Sequence, residues 1–141
     1  MEVKRKPRVV ALIVVEHNGK ILVSTGYDEV KKEHFFRPIG GGVEFLERVE
    51  DTVKREFQEE IGVDVEVDKR LGVTENIFNF NGNDGHEIVF IYSGKIADKD
   101  YKEKYHFNDD GKDIDAVWVA PKEFVEGNKI IYPQVVKDYL K

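Results

Sequence analysis

The chain has 141 residues, a formal net charge of -6 and no cysteine. That length supports one domain with its own core, so a single unit over residues 1–141 is expected. Disulfides, thiolate metal sites and thiol nucleophiles are excluded, and the acidic balance argues against long nucleic-acid partners, which need a phosphate-neutralising surface.

The opening MEVKRKPR is basic, and we take it as a solvated terminus because its charges stop at Arg8. It lacks the apolar core of a signal peptide, and no later apolar run approaches the roughly 20 residues of a membrane span. The expected location is therefore the cytoplasm. VVALIVV, Val9 to Val15, is a β-branched run suited to a strand buried on both faces. Asn18-Gly19 then separates it from ILVST, Ile21 to Thr25, which predicts a hairpin. FFRPI, Phe35 to Ile39, reads as a short strand broken by Pro38, and Gly40 to Gly42 read as a tight turn into a helix.

Val49, Val53, Phe57 and Ile61 recur every fourth residue and form one apolar helical stripe. Glu47, Glu50 and Asp51 fall in the first turns of that helix, where its dipole favours acids. Val63 to Val67 and Val73 to Phe80 read as strands, NGNDG as a turn, and HEIVFIYSGKI as a returning strand. Asp98 to Asp113 is polar and is expected to be a loop with room for one helical turn. Ala116 to Ala120 is a last strand, Pro121 opens a helical turn, and VVKDYLK forms a terminal helix. Strands, hairpins and one long helix predict an α/β chain with a mixed sheet.

Glu56, Glu59 and Glu60 stand i, i+3, i+4 on the central helix, a repulsive spacing. At about 100° per residue from Val49, Glu60 falls near about 20°, Glu56 near about 340° and Glu59 near about 280°. The acids therefore border the buried stripe. Carboxylates placed there need partners or a cation, and an oxygen-only donor set suits Mg²⁺ or Mn²⁺. Such an ion would also let a small anion bind an acidic protein. Taken alone, the same spacing also fits a solvated acidic face neutralised by Lys and Arg.

Read together, Gly41 to Val63 runs G-x5-E-x7-R-E-U-x-E-E-x-G-U, where U is apolar. The matched positions are Gly41, Glu47, Arg55, Glu56, Phe57, Glu59, Glu60, Gly62 and Val63. This resembles the signature box of the Nudix hydrolases. Two positions depart from it: Phe57 stands where an aliphatic residue is usual, and Leu46 where many members carry glycine. The resemblance implies an α/β/α sandwich and hydrolysis of a nucleoside diphosphate linked to another moiety X. It also implies Glu56, Glu59 and Glu60 as metal ligands, with the backbone carbonyl of Gly40 as a further one. Arg55 would orient the glutamates, Glu56 is a candidate general base, and Gly41, Glu47 and Gly62 are structural parts of the box. A downstream acid serves as base in some relatives, which brings in Asp109, Asp110, Asp113 and Glu87.

Arg37 sits just before the glycines and is expected to clamp a substrate phosphate, with a surface salt bridge as the plainer reading. Tyr27, Phe35, Phe36, Phe78, Phe80, Phe90 and Tyr92 could supply a base-stacking platform, although most aromatic residues on strands pack in cores. The partner is thus a small nucleotide-derived substrate, with neither long nucleic acid nor membrane involved. Two rivals to this hydrolase are a non-catalytic Nudix-fold sensor and an enzyme acting on the 5′ end of RNA. The intact box and the lack of an attached DNA-binding region disfavour the first, and the missing basic stripe disfavours the second.

Overall fold

The computed structural model describes residues 5–140, so Met1 to Lys4 of the basic opening lie outside it. Strand β1, Arg8–His17, is an interior strand of the sheet. Its residues Val10 to Val15 are all buried. Ala11, Ile13 and Val15 face one core while Val10, Leu12 and Val14 face another, as the two-residue period of a strand requires. Asn18 and Gly19, at φ 51° and 78°, turn the chain into β2, Lys20–Asp28. Positive φ at both central residues is what a two-residue hairpin turn demands.

Strand β3, Glu33–Gly42, is longer than the sequence reading allowed. It runs through Pro38 because the partner changes there. Residues Glu33 to Pro38 pair with β2, and Ile39 to Gly42 pair with β1. Gly40 to Gly42 are therefore strand and not turn; the turn follows them. The helix α1, Val49–Ile61, buries Val53 and Phe57 completely and ends at Gly62, whose φ is 79°. Glu47 lies just ahead of this helix and not within its first turn.

The two expected strands after the helix are one, β4, Glu66–Phe80, interrupted by register shifts near Val67 and Arg70. Asn81 and Gly82 turn it into β5, Asn83–Lys95, which pairs in parallel with β1. The segment expected as a loop contains the foreseen helical turn, a 3₁₀ turn at Asp98–Asp100, but also an unforeseen strand β6, Lys104–Asp109. Tyr105 and Phe107 are buried in β6 while Lys104, His106 and Asn108 point outward, so a polar composition concealed a two-residue alternation. Asp110 and Gly111 close a further hairpin to β7, Lys112–Val119. Then come α2, Pro121–Val125, and a 3₁₀ segment, Gln134–Tyr139, in place of the expected terminal helix.

The sheet order is β4-β5-β1-β3-β2-β7-β6. Helix α1 covers one core through Val53, Phe57 and Ile61. On the other side α2 contributes Phe124 and the 3₁₀ segment contributes Val136. The result is the expected mixed sheet between helical layers. Among the described residues no helix is long and apolar enough to cross a membrane.

Candidate active site

Arg55 organises the junction between β3 and α1. Its Nε and Nη2 donate to the two oxygens of Glu47 at 2.7 and 2.9 Å, a bidentate pairing. Nη2 also donates to the Gly42 carbonyl at 3.1 Å, and Nη1 to Glu56 at 3.0 Å and Glu59 at 3.3 Å. Glu47 is held further by the Thr52 hydroxyl at 2.6 Å and the Glu44 amide at 3.2 Å. The Arg55 guanidinium, with Thr52, lowers the Glu47 carboxyl from 4.5 to about 2. A loop without helical hydrogen bonds is thereby fixed to the helix by one cation.

The glycines let the helix approach. A methyl group built on Gly41 would stand 2.5 Å from the Glu56 carboxyl carbon, so that carboxylate rests on bare backbone. Gly40 has φ 155°, and a side chain there would collide with the Ala11 carbonyl. One turn further along α1, burial pushes the Glu60 carboxyl from 4.5 up to about 9, with the adjacent Glu56 next in effect and Asp109 and Glu59 contributing less. The arginine that neutralises Glu47 and Glu56 makes no ion pair with Glu60.

These features fit a hard divalent cation: an oxygen-only donor set, and a half-buried carboxyl that resists ionisation without added positive charge. Glu56, Glu59 and Glu60 are the side chains that would hold it. Glu59 turns instead towards Arg55, and among the described residues no three acidic or histidine side chains converge on one point as they stand. The Glu59 side chain is 58% exposed and so has room to change rotamer.

Of the four downstream acids, Asp109 is the one that acts on the cluster, through its charge on Glu60. Asp110 occupies a turn at φ 50°, and Asp113 faces His106 at 3.5 Å and Asn108 at 3.4 Å. Glu87 is buried, 5% exposed, and accepts from Arg37 Nη2 at 3.0 Å. The plainer reading of Arg37 as an ion-pair partner is thus realised, but with a buried acid and not a surface one. Most of the aromatic set packs internally. Phe35 meets Phe80 and Tyr132 at 5.7 and 5.5 Å, Phe36 meets Phe124 at 5.8 Å, and Tyr92 is core, whereas Tyr27 is 41% exposed.

Two contributors were not foreseen. Thr52 is fully buried and clamps Glu47; its signal was a hydroxyl beside Val53 on the buried stripe. Arg8 approaches Gly42 and Glu87 from a strand distant in sequence, and no local pattern points to it.

A family model described as the NUDIX domain matches residues 4–139. A curated protein, the low-salt glycan biosynthesis protein Agl8 of Haloferax volcanii, is 33% identical over 79 residues, which cover 56% of this chain and 50% of that protein. The chain thus spans about half the length of this relative. Among solved structures, the MutT protein of Methanosarcina mazei Go1 superimposes with a TM-score of 0.69 at 15% identity, covering 99% of this chain and 94% of the other. A MutT NUDIX hydrolase from Burkholderia pseudomallei gives 0.63 at 24% identity, with 84% and 86% covered. At these identities the two likenesses establish the fold.

Proposed function

The chain belongs to the NUDIX domain family, and we propose that it is a pyrophosphohydrolase that uses Mg²⁺ or Mn²⁺ to hydrolyse a diphosphate bond in a nucleoside diphosphate linked to a second moiety X. The observation that carries this reading is the Glu56 carboxylate resting on the bare backbone of Gly41 and held by Arg55, with Glu60 one turn on, an oxygen-only set whose carboxyls a divalent cation would let ionise together. Glu56, Glu59 and Glu60 would hold the ion, with the Gly40 carbonyl as a further ligand. When bound, it supplies the positive charge that neutralises diphosphate oxygens and acidifies the attacking water.

The chain's own residues do the rest. Arg55 holds Glu56 in a fixed orientation at 3.0 Å, which suits Glu56 to accept a proton from water. Glu47 and Thr52 hold Arg55 in turn. Gly41 leaves the space in which the Glu56 carboxylate sits. Arg37 would bind a substrate phosphate, with Glu87 keeping its guanidinium in place. Asp109 is the downstream acid placed to influence the site. The candidate substrates of this class are nucleoside triphosphates, nucleotide sugars and dinucleotides.

The test is a panel of these nucleotides with Mg²⁺ and Mn²⁺, products identified by mass. Hydrolysis of at least one substrate is expected, with Glu59→Gln and Glu60→Gln each losing it. Undiminished Mg²⁺-dependent turnover in both variants would overturn the assignment.

A further inference from the structure

The segment Pro7 to Val9 and the loop Gly42 to Leu46 line an open, shallow cleft of about 560 Å³. Its rim is unusually apolar for an exposed loop, since Phe45 is 93% and Leu46 90% exposed. Leu46 holds φ 68°, so the loop presents this pair outward at some conformational cost. Clefts of this size with an apolar rim and few charged groups are typical small-molecule sites.

The charge in the cleft is Arg8. Its side chain is 66% exposed, and its one ion pair among the described residues is a 3.9 Å contact with the buried Glu87. That distance is too long for a hydrogen bond, so none of its N–H donors is committed. The other oxygen of Glu87 takes Arg37 at 3.0 Å. Two guanidiniums thus share one carboxylate and leave a net positive charge, in a chain whose formal charge is -6. Glu44 also lines the cleft, but its carboxylate lies 3.8 Å from Arg55.

The position relative to the carboxylates is what gives this charge a use. Arg8 Nη2 lies 2.7 Å from where a Gly42 side chain would begin, so the guanidinium rests on the glycine strand as Glu56 does at Gly41. Adjacent residues of a strand face opposite sides. Arg8 and Glu56 therefore sit on opposite faces of the strand end, and the cleft is linked to the carboxylates through Arg55, which donates to the Gly42 carbonyl at 3.1 Å and faces the lining residue Glu44 at 3.8 Å.

We propose that Arg8 clamps the phosphoryl group of the diphosphate that lies away from the glutamate cluster, with the Phe45–Leu46 rim covering the adjoining part of X. This rests on the hydrolase reading and adds the residue and cleft that would hold the outer phosphate. A planar guanidinium with free donors suits two phosphate oxygens at once, and a lysine supplies only a point charge.

The experiment is calorimetric titration of inorganic pyrophosphate, in excess Mg²⁺, into wild type, Arg8→Ala and Arg8→Lys, with nucleotide turnover measured in parallel. Pyrophosphate should bind wild type, weaken about tenfold or more in Arg8→Ala, and fall between in Arg8→Lys. For substrates that turn over, KM should rise while kcat stays within about twofold. Thermal melting should be little changed in both variants, and Arg8→Lys keeps the stem and charge if Arg8→Ala folds poorly. Equal pyrophosphate affinity in wild type and Arg8→Ala would overturn the proposal, as would no binding to wild type. Turnover that persists with such equal affinity leaves the hydrolase reading standing. Arg8-dependent binding without any turnover would instead count against the hydrolase reading and keep the subsite.

Discussion

Replacing Glu60 by glutamine should stabilise the metal-free protein while abolishing activity. The carboxyl has an ordinary value of 4.5 and is pushed up to about 9 in the fold. A carboxyl that is harder to ionise when folded holds its proton more tightly in the native state. It therefore lowers stability progressively as pH rises from 4.5, and the loss levels off near 9. From 4.5 to pH 7, at about 1.4 kcal/mol per pH unit, the penalty reaches about 3 kcal/mol as a ceiling. Glutamine keeps the shape and a hydrogen-bond donor but cannot ionise. Urea denaturation in EDTA should show Glu60→Gln gaining up to about 3 kcal/mol at pH 7 and close to nothing below pH 4.5. Saturating Mg²⁺ should raise the wild-type melting temperature and leave the variant nearly unmoved. A variant equal to or less stable than wild type at pH 7 in EDTA would refute the claim that this carboxyl is electrostatically frustrated.

Gly41→Ala would push a methyl group to 2.5 Å from the Glu56 carboxyl carbon, so kcat/KM should fall by on the order of 10²-fold. Its urea midpoint should change little, because the displaced atoms are the end of a flexible side chain. Thr52→Val removes the 2.6 Å hydroxyl bond to Glu47 from a buried position and should cost about 1–2 kcal/mol in denaturation. Glu47, lowered to about 2, contributes stability above 4.5 that is lost as pH falls through about 2. Acid titrations followed by circular dichroism should therefore show a shallower loss in that window for Glu47→Gln than for wild type.

The local features of the site were legible because their causes are local. The four-residue spacing of Val49, Val53, Phe57 and Ile61 sets a helical stripe, and that stripe dictates where Glu56 and Glu60 lie on the helix. Gly62 ends the helix as a left-handed residue should. Strand β6 was not legible as a strand because its alternation, Tyr105 and Phe107 against Lys104 and His106, is short and heavily polar. The Asp110-Gly111 turn was the missed signal, since it matches the Asn-Gly turns that were recognised. Glycines 40 to 42 were misread as a turn because glycine permits both a turn and the close approach of a neighbouring chain.

By itself, then, the sequence determined the family box, the helix with its acidic border, two of the hairpins and the strand buried on both faces. Each follows from residue identities within a few positions of one another. The tertiary structure alone decided which charges meet. Parallel pairing sets Arg8 beside Glu87, and that acid also receives Arg37 from β3. The packing of α1 against β3 gives Glu56 a glycine surface and leaves Glu60 half-buried without an ion-pair cation. Burial and the distance between charges govern ionisation, and both are properties of the folded arrangement that no local spacing encodes.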